Sequence, residues 1–369
     1  MLEKSVWREW ADLDRLPRSG ASAGRGSIRM SAKDFCVEEI PFQEPTGEGE
    51  HLWLWVEKKG ENTEYLARNL ARAYGVAPVA VSYAGRKDRH AISRQWFSVH
   101  LPGTKQLLSP PGLESESVRV LRLTRSTKKL RLGALRGNRF EIVIRNFSGS
   151  KARLEERLSE VAIQGVPNYF GKQRFGRNSA NLDAALAMFA GQRVRHRKRR
   201  GLYLSAARSA IFNGILANRV LDNSWEALLP GEAVMLAGSN SFFVAEAIDD
   251  ELRARLQVND VHPSGALWGR GDPPSRQGIL AMEKRVAKQA EGLAEGLVAA
   301  GLKQERRSLR LFPQVFSWHW ENEHALTLRF VLSPGAFATS VLRDLIEVCD
   351  LEGGNREISS NEPAGLGGS

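Results

Sequence analysis

Apolar and polar residues alternate along FCVEEIP (35–41) and HLWLWVE (51–57), the second run setting Leu52, Leu54 and Val56 against Trp53 and Trp55. This period of two predicts two β-strands, with GEGE as the turn between them. The period then changes. Leu66, Leu70, Ala73 and Tyr74 share one face of a helix, Asn62 stands at its cap, and Gly75 followed by Pro78 closes it. Strand-like runs return at VAVSY (79–83), QWFSVHL (95–101), SVRVLRL (117–123) and RFEIVIRN (139–146). The middle of the chain reads as helical. Leu154, Leu158 and Val161 predict a helix over 151–164, and residues 178–191, 204–221 and 278–302 carry the same spacing. ALTLRFVL (325–332) predicts a strand, and a helix is expected from Gly335 to Cys349. Residues 11–27, ADLDRLPRSGASAGRGS, show no apolar periodicity. Residues 1–27 are therefore expected to be a flexible lead-in whose removal spares function, and 351–369 a disordered tail.

The chain has 369 residues, 42% of them hydrophobic, enough for about two domains with their own cores. Its two cysteines, Cys36 and Cys349, offer no disulfide framework and no metal knuckle, and no run approaches a membrane span. A reduced, cytoplasmic protein is expected. Lys and Arg exceed Asp and Glu by 11, a surplus that favours a polyanionic partner, nucleic acid first.

Several motifs that would carry chemistry fail on spacing or context. Gly20-Ala21-Ser22-Ala23-Gly24 spells a hydrolase elbow around Ser22 but lacks the strand and helix that the elbow needs. Gly165 to Gly171-Lys172 has one residue too many for a phosphate loop, and Gln173 replaces its hydroxyl. His319 and His324, with Glu321 and Glu323, lack a further ligand set, so no metal is expected. Two basic runs remain. Arg193, Arg195, His196, Arg197, Lys198, Arg199 and Arg200 predict an exposed loop ordered by an anion, and Lys128, Lys129, Arg131 and Arg136 form a second cluster. Asp88 stands among Arg86, Lys87, Arg89 and His90 between two strands. These cations favour an ionised carboxylate, which suits a nucleophile or base and equally suits a surface ion pair.

The segment SYAGRKDRHAISRQWFSVHLPG (82–103) resembles the catalytic motif of the TruD family of tRNA pseudouridine synthases. GEGEHLWLWVEKKGENT (47–63), KLRLGALRGNRFEIVIR (129–145), GVPNYFGKQRFG (165–176), LSAARSAIFN (204–213), PSGALWGRG (263–271) and SPGAFATSVLRDL (333–345) extend the resemblance in order. It implies an α+β fold, in which a pseudouridine synthase-type catalytic domain with a mixed, largely antiparallel sheet is interrupted by a family-specific α/β domain. The expected parts are 28–156 and 305–350 for the catalytic domain and 157–304 for the insert. The implied reaction is isomerisation of uridine in tRNA, characteristically at position 13, by a monomer without a cofactor or protein partner. Asp88 is then the catalytic carboxylate, acting at the sugar carbon or on a ribose proton. Phe140 stacks on the target base and Asn138 shares its strand face. Phe35 and Phe337 are further aromatic positions near the pocket, and Arg29 stands where relatives often carry Lys. Lys87, Lys128, Lys129, Arg131, Arg195, Arg197 and Arg199 are expected to meet the RNA, and Tyr169, Phe170, Gln173, Arg174 and Phe175 to add stacking and polar contacts. The alternatives are an RNA-binding protein of the same fold without activity, and a hydrolase acting through Ser22.

Overall fold

The computed structural model describes residues 6–89 and 91–350; His90 and the expected tail at 351–369 lie outside them. The fold is α+β, built on one mixed sheet. Its strands are β1 (Gly24–Ile28), β2 (Phe35–Pro41), β3 (His51–Lys59), β4 (Val81–Tyr83), β5 (Ile92–His100), β6 (Val118–Ser126), β7 (Leu135–Gly149), and the strands Gln314–Asn322, Ala325–Leu332 and Glu347–Asp350. The 15-residue β7 is the spine. The Ala325–Leu332 strand runs antiparallel along one edge of β7, while β2 and then β1 occupy the other. From β2 the sheet continues through β5 and β3 to β6. Among the described residues two pairings of this sheet are parallel, β2 with β5 and β1 with Glu347–Asp350.

The helices follow from their capping chemistry. Asn62 caps α2 (Thr63–Ala73) by accepting from the backbone of Glu64 and Tyr65, and Gly75 takes the left-handed conformation that a helix end requires. Helix α2 buries Leu66 and Leu70 against β3 and β5. Helix α3 (Lys151–Gln164) buries Leu154, Leu158 and Val161 against β7 and the Ala338–Leu345 helix. In the middle of the chain, α4 (Ala180–Phe189) and the 25-residue α5 (Arg197–Leu221) pack with Gln277–Gln289 and Glu291–Ala299 around a second core. No helix among the described residues is long and apolar enough to cross a membrane.

Three expectations change, and one strand stands where none was expected. Residues 6–27 are packed. Trp7 and Trp10 on the short α1 (Val6–Trp10), with Leu13 and Leu16, are buried in the α5 core, where the Trp10 ring lies against the bare backbone of Gly214. The strap is held by contacts distant in sequence: Asn213 donates to the Trp10 carbonyl at 2.9 Å and Arg343 to those of Leu16 and Pro17, while the strap's own Arg18 donates to the Ile346 carbonyl at 2.9 Å. Ser22 donates to the Gly24 carbonyl at 2.7 Å. The expected helix over 278–302 breaks at Ala290, whose φ of −119° and ψ of 41° are not helical. The last helix ends at Leu345, because Glu347–Asp350 is drawn into the sheet beside β1. Finally, Gln314–Asn322 is a full strand, with His319 opposite Thr327, and His324 lies with its Nδ1 3.2 Å from the Phe147 carbonyl.

Candidate active site

Asp88 lies in the loop 84–91 between β4 and β5, and three elements fix that loop through its backbone. Gln95 donates to the Gly85 carbonyl at 3.0 Å, and the Lys87 amide donates to Thr63 Oγ1 at 3.1 Å. The Asp88 carbonyl accepts from Lys58 Nζ at 2.9 Å and from Ser93 Oγ at 3.3 Å. Its carboxylate meets Arg29, with Nη2 2.9 Å from Oδ2. Arg29 follows β1 directly and adopts a φ of 59°, a left-handed conformation that costs an arginine of order 1 kcal/mol and needs surrounding support. That support is visible: the guanidinium carbon sits 4.1 Å over the Phe35 ring and the side chain is 8% exposed.

Beside this ion pair opens a cavity of about 140 Å3 whose lining includes Arg29, Phe35, Asp88, Asn138, Phe140 and Phe337. Alternation along β7 sets Asn138 and Phe140 on one face, as the sequence predicts. Phe140 is fixed edge-on to Phe35, at 6.2 Å and 80°, and stacked on Phe330, at 5.4 Å and 23°. Phe337 caps the Ala338–Leu345 helix from the other side of the cavity and meets Phe170 edge-on at 6.0 Å, joining the site to the α5 core. Five of the expected site residues, from three separate strands or loops and a helix cap, thus converge on Asp88.

Other expected residues have different places. Lys87 does not face outward. Its amine is buried between Glu39 Oε2 at 2.8 Å and Asn138 Oδ1 at 2.7 Å, because a carboxylate inside the sheet needs a cation. Burial pushes the Glu39 carboxyl up, against the charge and hydrogen bond of Lys87. Tyr169, Phe170 and Phe175 are core residues, whereas Gln173 is exposed and lines the cavity. Arg174 donates to Ser205 at 2.9 Å and lies over Phe337. Arg193, Arg195 and His196 remain exposed and irregular, but Arg197 to Arg200 form the exposed first turn of α5. Lys198 lies 4.0 Å from Glu64, which also binds Arg86 at 2.6 Å, so this basic turn borders the Asp88 loop. Lys128, Lys129 and Arg131 are exposed along a separate groove, and their segment touches the loop where the Gly133 amide donates to the Ala84 carbonyl at 2.7 Å.

Sequence reading missed Lys58. It is fully buried, and besides Asp88 its amine donates to the Glu61 carbonyl at 2.8 Å. The signal was present: Leu52, Leu54, Val56 and Lys58 fall on one face of β3, a lysine in an apolar series. Burial lowers its pKa to about 8, with Asp88 opposing the shift. Between pH 8 and the ordinary lysine value of 10.5, the unfolded chain holds a proton that the folded one has released, so this residue's contribution to stability rises with pH across that window. Replacing it as Lys58→Met is expected to lower kcat about ten- to a hundredfold with little change in KM, by freeing the Asp88 backbone. Denaturant unfolding from pH 7.5 to 10 should show wild type gaining on the variant as pH rises; parallel curves would show that Lys58 does not titrate in this window.

The family model for tRNA pseudouridine synthase D (TruD) matches residues 19–185 and 185–345. The tRNA pseudouridine synthase D of Methylococcus capsulatus is 48% identical over 336 residues, covering 90% of this chain and 95% of its own length. That of Nitrosococcus oceani is 47% identical over 329 residues, covering 88% and 92%. In fold, the chain is similar to a Methanosarcina mazei crystal structure assigned as a tRNA pseudouridine synthase D, with a TM-score of 0.70 at 22% identity over 94% of this chain and 98% of that one. A carboxylate fixed beside three phenyl rings, in a chain matched along nearly its whole length, leads to one placement: the chain belongs to the tRNA pseudouridine synthase D (TruD) family.

Proposed function

We propose that this protein isomerises uridine to pseudouridine in tRNA, with Asp88 as the catalytic carboxylate and position 13, the position that the family resemblance implies, as target. The observation that carries this reading is the Arg29–Asp88 pair at the edge of a cavity walled by Phe35, Phe140 and Phe337. In the reaction the N1–C1′ bond breaks, the uracil turns, and C5 bonds to C1′; C5 releases a proton and N1 gains one. Atoms and electrons balance without an outside reductant or oxidant. What the protein must supply is a place to hold the detached base, a fixed acid–base group and shelter from water. The phenyl walls hold the ring faces, and Asn138, whose oxygen is taken by Lys87, is left with its amide nitrogen to donate to a uracil carbonyl.

Everting the target costs a few kcal/mol of stacking, which phosphate contacts elsewhere must offset. Arg195, Arg197 and Arg199, exposed at or beside the start of α5, support that role, and Lys128, Lys129 and Arg131 extend it on the other segment. The strand-rich ends form the catalytic domain in this reading, since β1 and β7 share a sheet with Ala325–Leu332 and Glu347–Asp350, and residues 157–304 grip the RNA. In this reading the protein acts as a monomer where its tRNA is, in the cytoplasm. The test is incubation of the full chain with tRNA transcript tritiated at uridine C5. Release of tritium to water with one new pseudouridine at position 13 is expected; no release overturns the reading. Replacing Arg195, Arg197 and Arg199 by Ala should weaken tRNA binding about ten- to a hundredfold and flatten the log–log salt slope by about 2 to 3. An unchanged slope would show that this turn faces away from the RNA.

A further inference from the structure

A second cavity, of about 320 Å3, also borders the Arg29–Asp88 pair. The two share Arg29, Asp88, Gln173 and Thr339, so they adjoin along these side chains. Their linings differ in kind. The smaller is aromatic; the larger has apolar walls from Leu13, Ile28, Leu342 and Val348, with Asp14 and Lys172 at its edge. Leu13 and Asp14 belong to the N-terminal strap, which is latched there by ion pairs from Lys172 to Asp14 and, at 3.5 Å, to Asp12.

We propose that this larger cavity is a subsite for the base of the nucleotide adjoining the target uridine in the same RNA strand. This rests on the proposed isomerase reading. Three observations carry it. With the target base between the phenyl walls and its C1′ at Asp88, the larger cavity, which shares Asp88 and Arg29 with the smaller, is the adjoining space for the neighbouring nucleotide. Its apolar surface suits the flat face of a nucleobase, which gains from stacking whatever its identity. At its edge Asp14, paired with Lys172 through one carboxylate oxygen, offers the other to base N–H groups, and Gln173 and Thr339 add polar groups that can meet a base edge. The strap is thus a wall of the substrate site as well as a packing element.

The experiment is a cycle of enzyme variants against RNA variants, read as single-turnover isomerisation by the full chain. The RNAs are the tRNA transcript and two versions abasic immediately 5′ or 3′ of the target uridine. With wild type, one of the two abasic RNAs is expected to react about ten- to a hundredfold more slowly than the intact RNA, the other within about threefold. Val348→Trp, which fills the cavity from the half-buried Glu347–Asp350 strand, should slow the intact RNA and reduce the abasic penalty at least about fivefold. Asp14→Ala, at an exposed position that does not depend on core packing, should reduce the same penalty in the same direction. If neither abasic RNA slows wild type, or if neither variant alters the penalty, the subsite is overturned. Failure of the isomerase reading would look different: wild type would leave the intact transcript unconverted.

Discussion

Asp88→Asn is expected to abolish turnover, lowering kcat by at least about 1,000-fold, while tRNA affinity stays within about tenfold of wild type. The substitution keeps the shape of the side chain and removes its charge and its capacity to accept a proton or form a bond at carbon. A factor of 1,000 corresponds to about 4 kcal/mol of transition-state stabilisation, which no exposed surface ion pair supplies. The aromatic cavity and the basic turn of α5 remain, so the RNA should still bind with its target base everted. Single-turnover tritium release and filter binding on the same preparation separate the two effects. A variant retaining more than about a tenth of wild-type turnover would remove Asp88 from the chemistry; equal loss of binding and turnover would make it part of the RNA grip.

Removal of residues 1–16 is expected to destabilise the fold severely, the reverse of what composition suggests for this segment. Trp7, Trp10, Leu13 and Leu16 are all below 9% exposed. Burial of one large apolar side chain is worth about 1.5–3 kcal/mol, so the four together approach the whole net stability of an ordinary domain, about 5–15 kcal/mol. The truncation would also bare the α5 face around Gly214 and leave Arg343 without the carbonyl of Leu16. Thermal melting should show a fall of more than about 10 °C or no cooperative transition. A truncated chain melting within a few degrees of the full one would show that the strap only rests on the core.

The catalytic half was legible because its signals are local. Alternation set the strands, Asn62 and Gly75 bounded α2, and Phe140 and Asn138 shared a face by simple parity along β7. The polar interior was also written in parity, though less loudly: Lys58 and Glu39 each interrupt an apolar series on the buried face of their strand, and the structure shows each holding one side of the Asp88 loop, Glu39 through Lys87. The strap was illegible for a different reason. Its apolar residues recur at 7, 10, 13 and 16, but beyond Trp10 no regular element satisfies its backbone; side chains more than 150 residues away do so, and no local pattern announces them. Likewise, the basic run looked like a loop because like charges repel, yet four of its residues extend α5 by a turn. Cations at the positive end of a helix dipole are unfavourable by themselves, which is consistent with selection for an anion at that place.

The pairing of β1 with Glu347–Asp350 joins segments 322 residues apart in the chain, and Arg29, the partner of Asp88, stands one residue beyond β1. Loop closure on that scale is slow and comes late, and during translation it must wait until the last strand has emerged from the ribosome. The pairing beside Arg29 is consequently one that a growing chain can make only after nearly all of it has been synthesised. A nascent or prematurely terminated chain, even one carrying all the residues of the catalytic loop, would meet the tRNAs crowding the translation apparatus without a finished site.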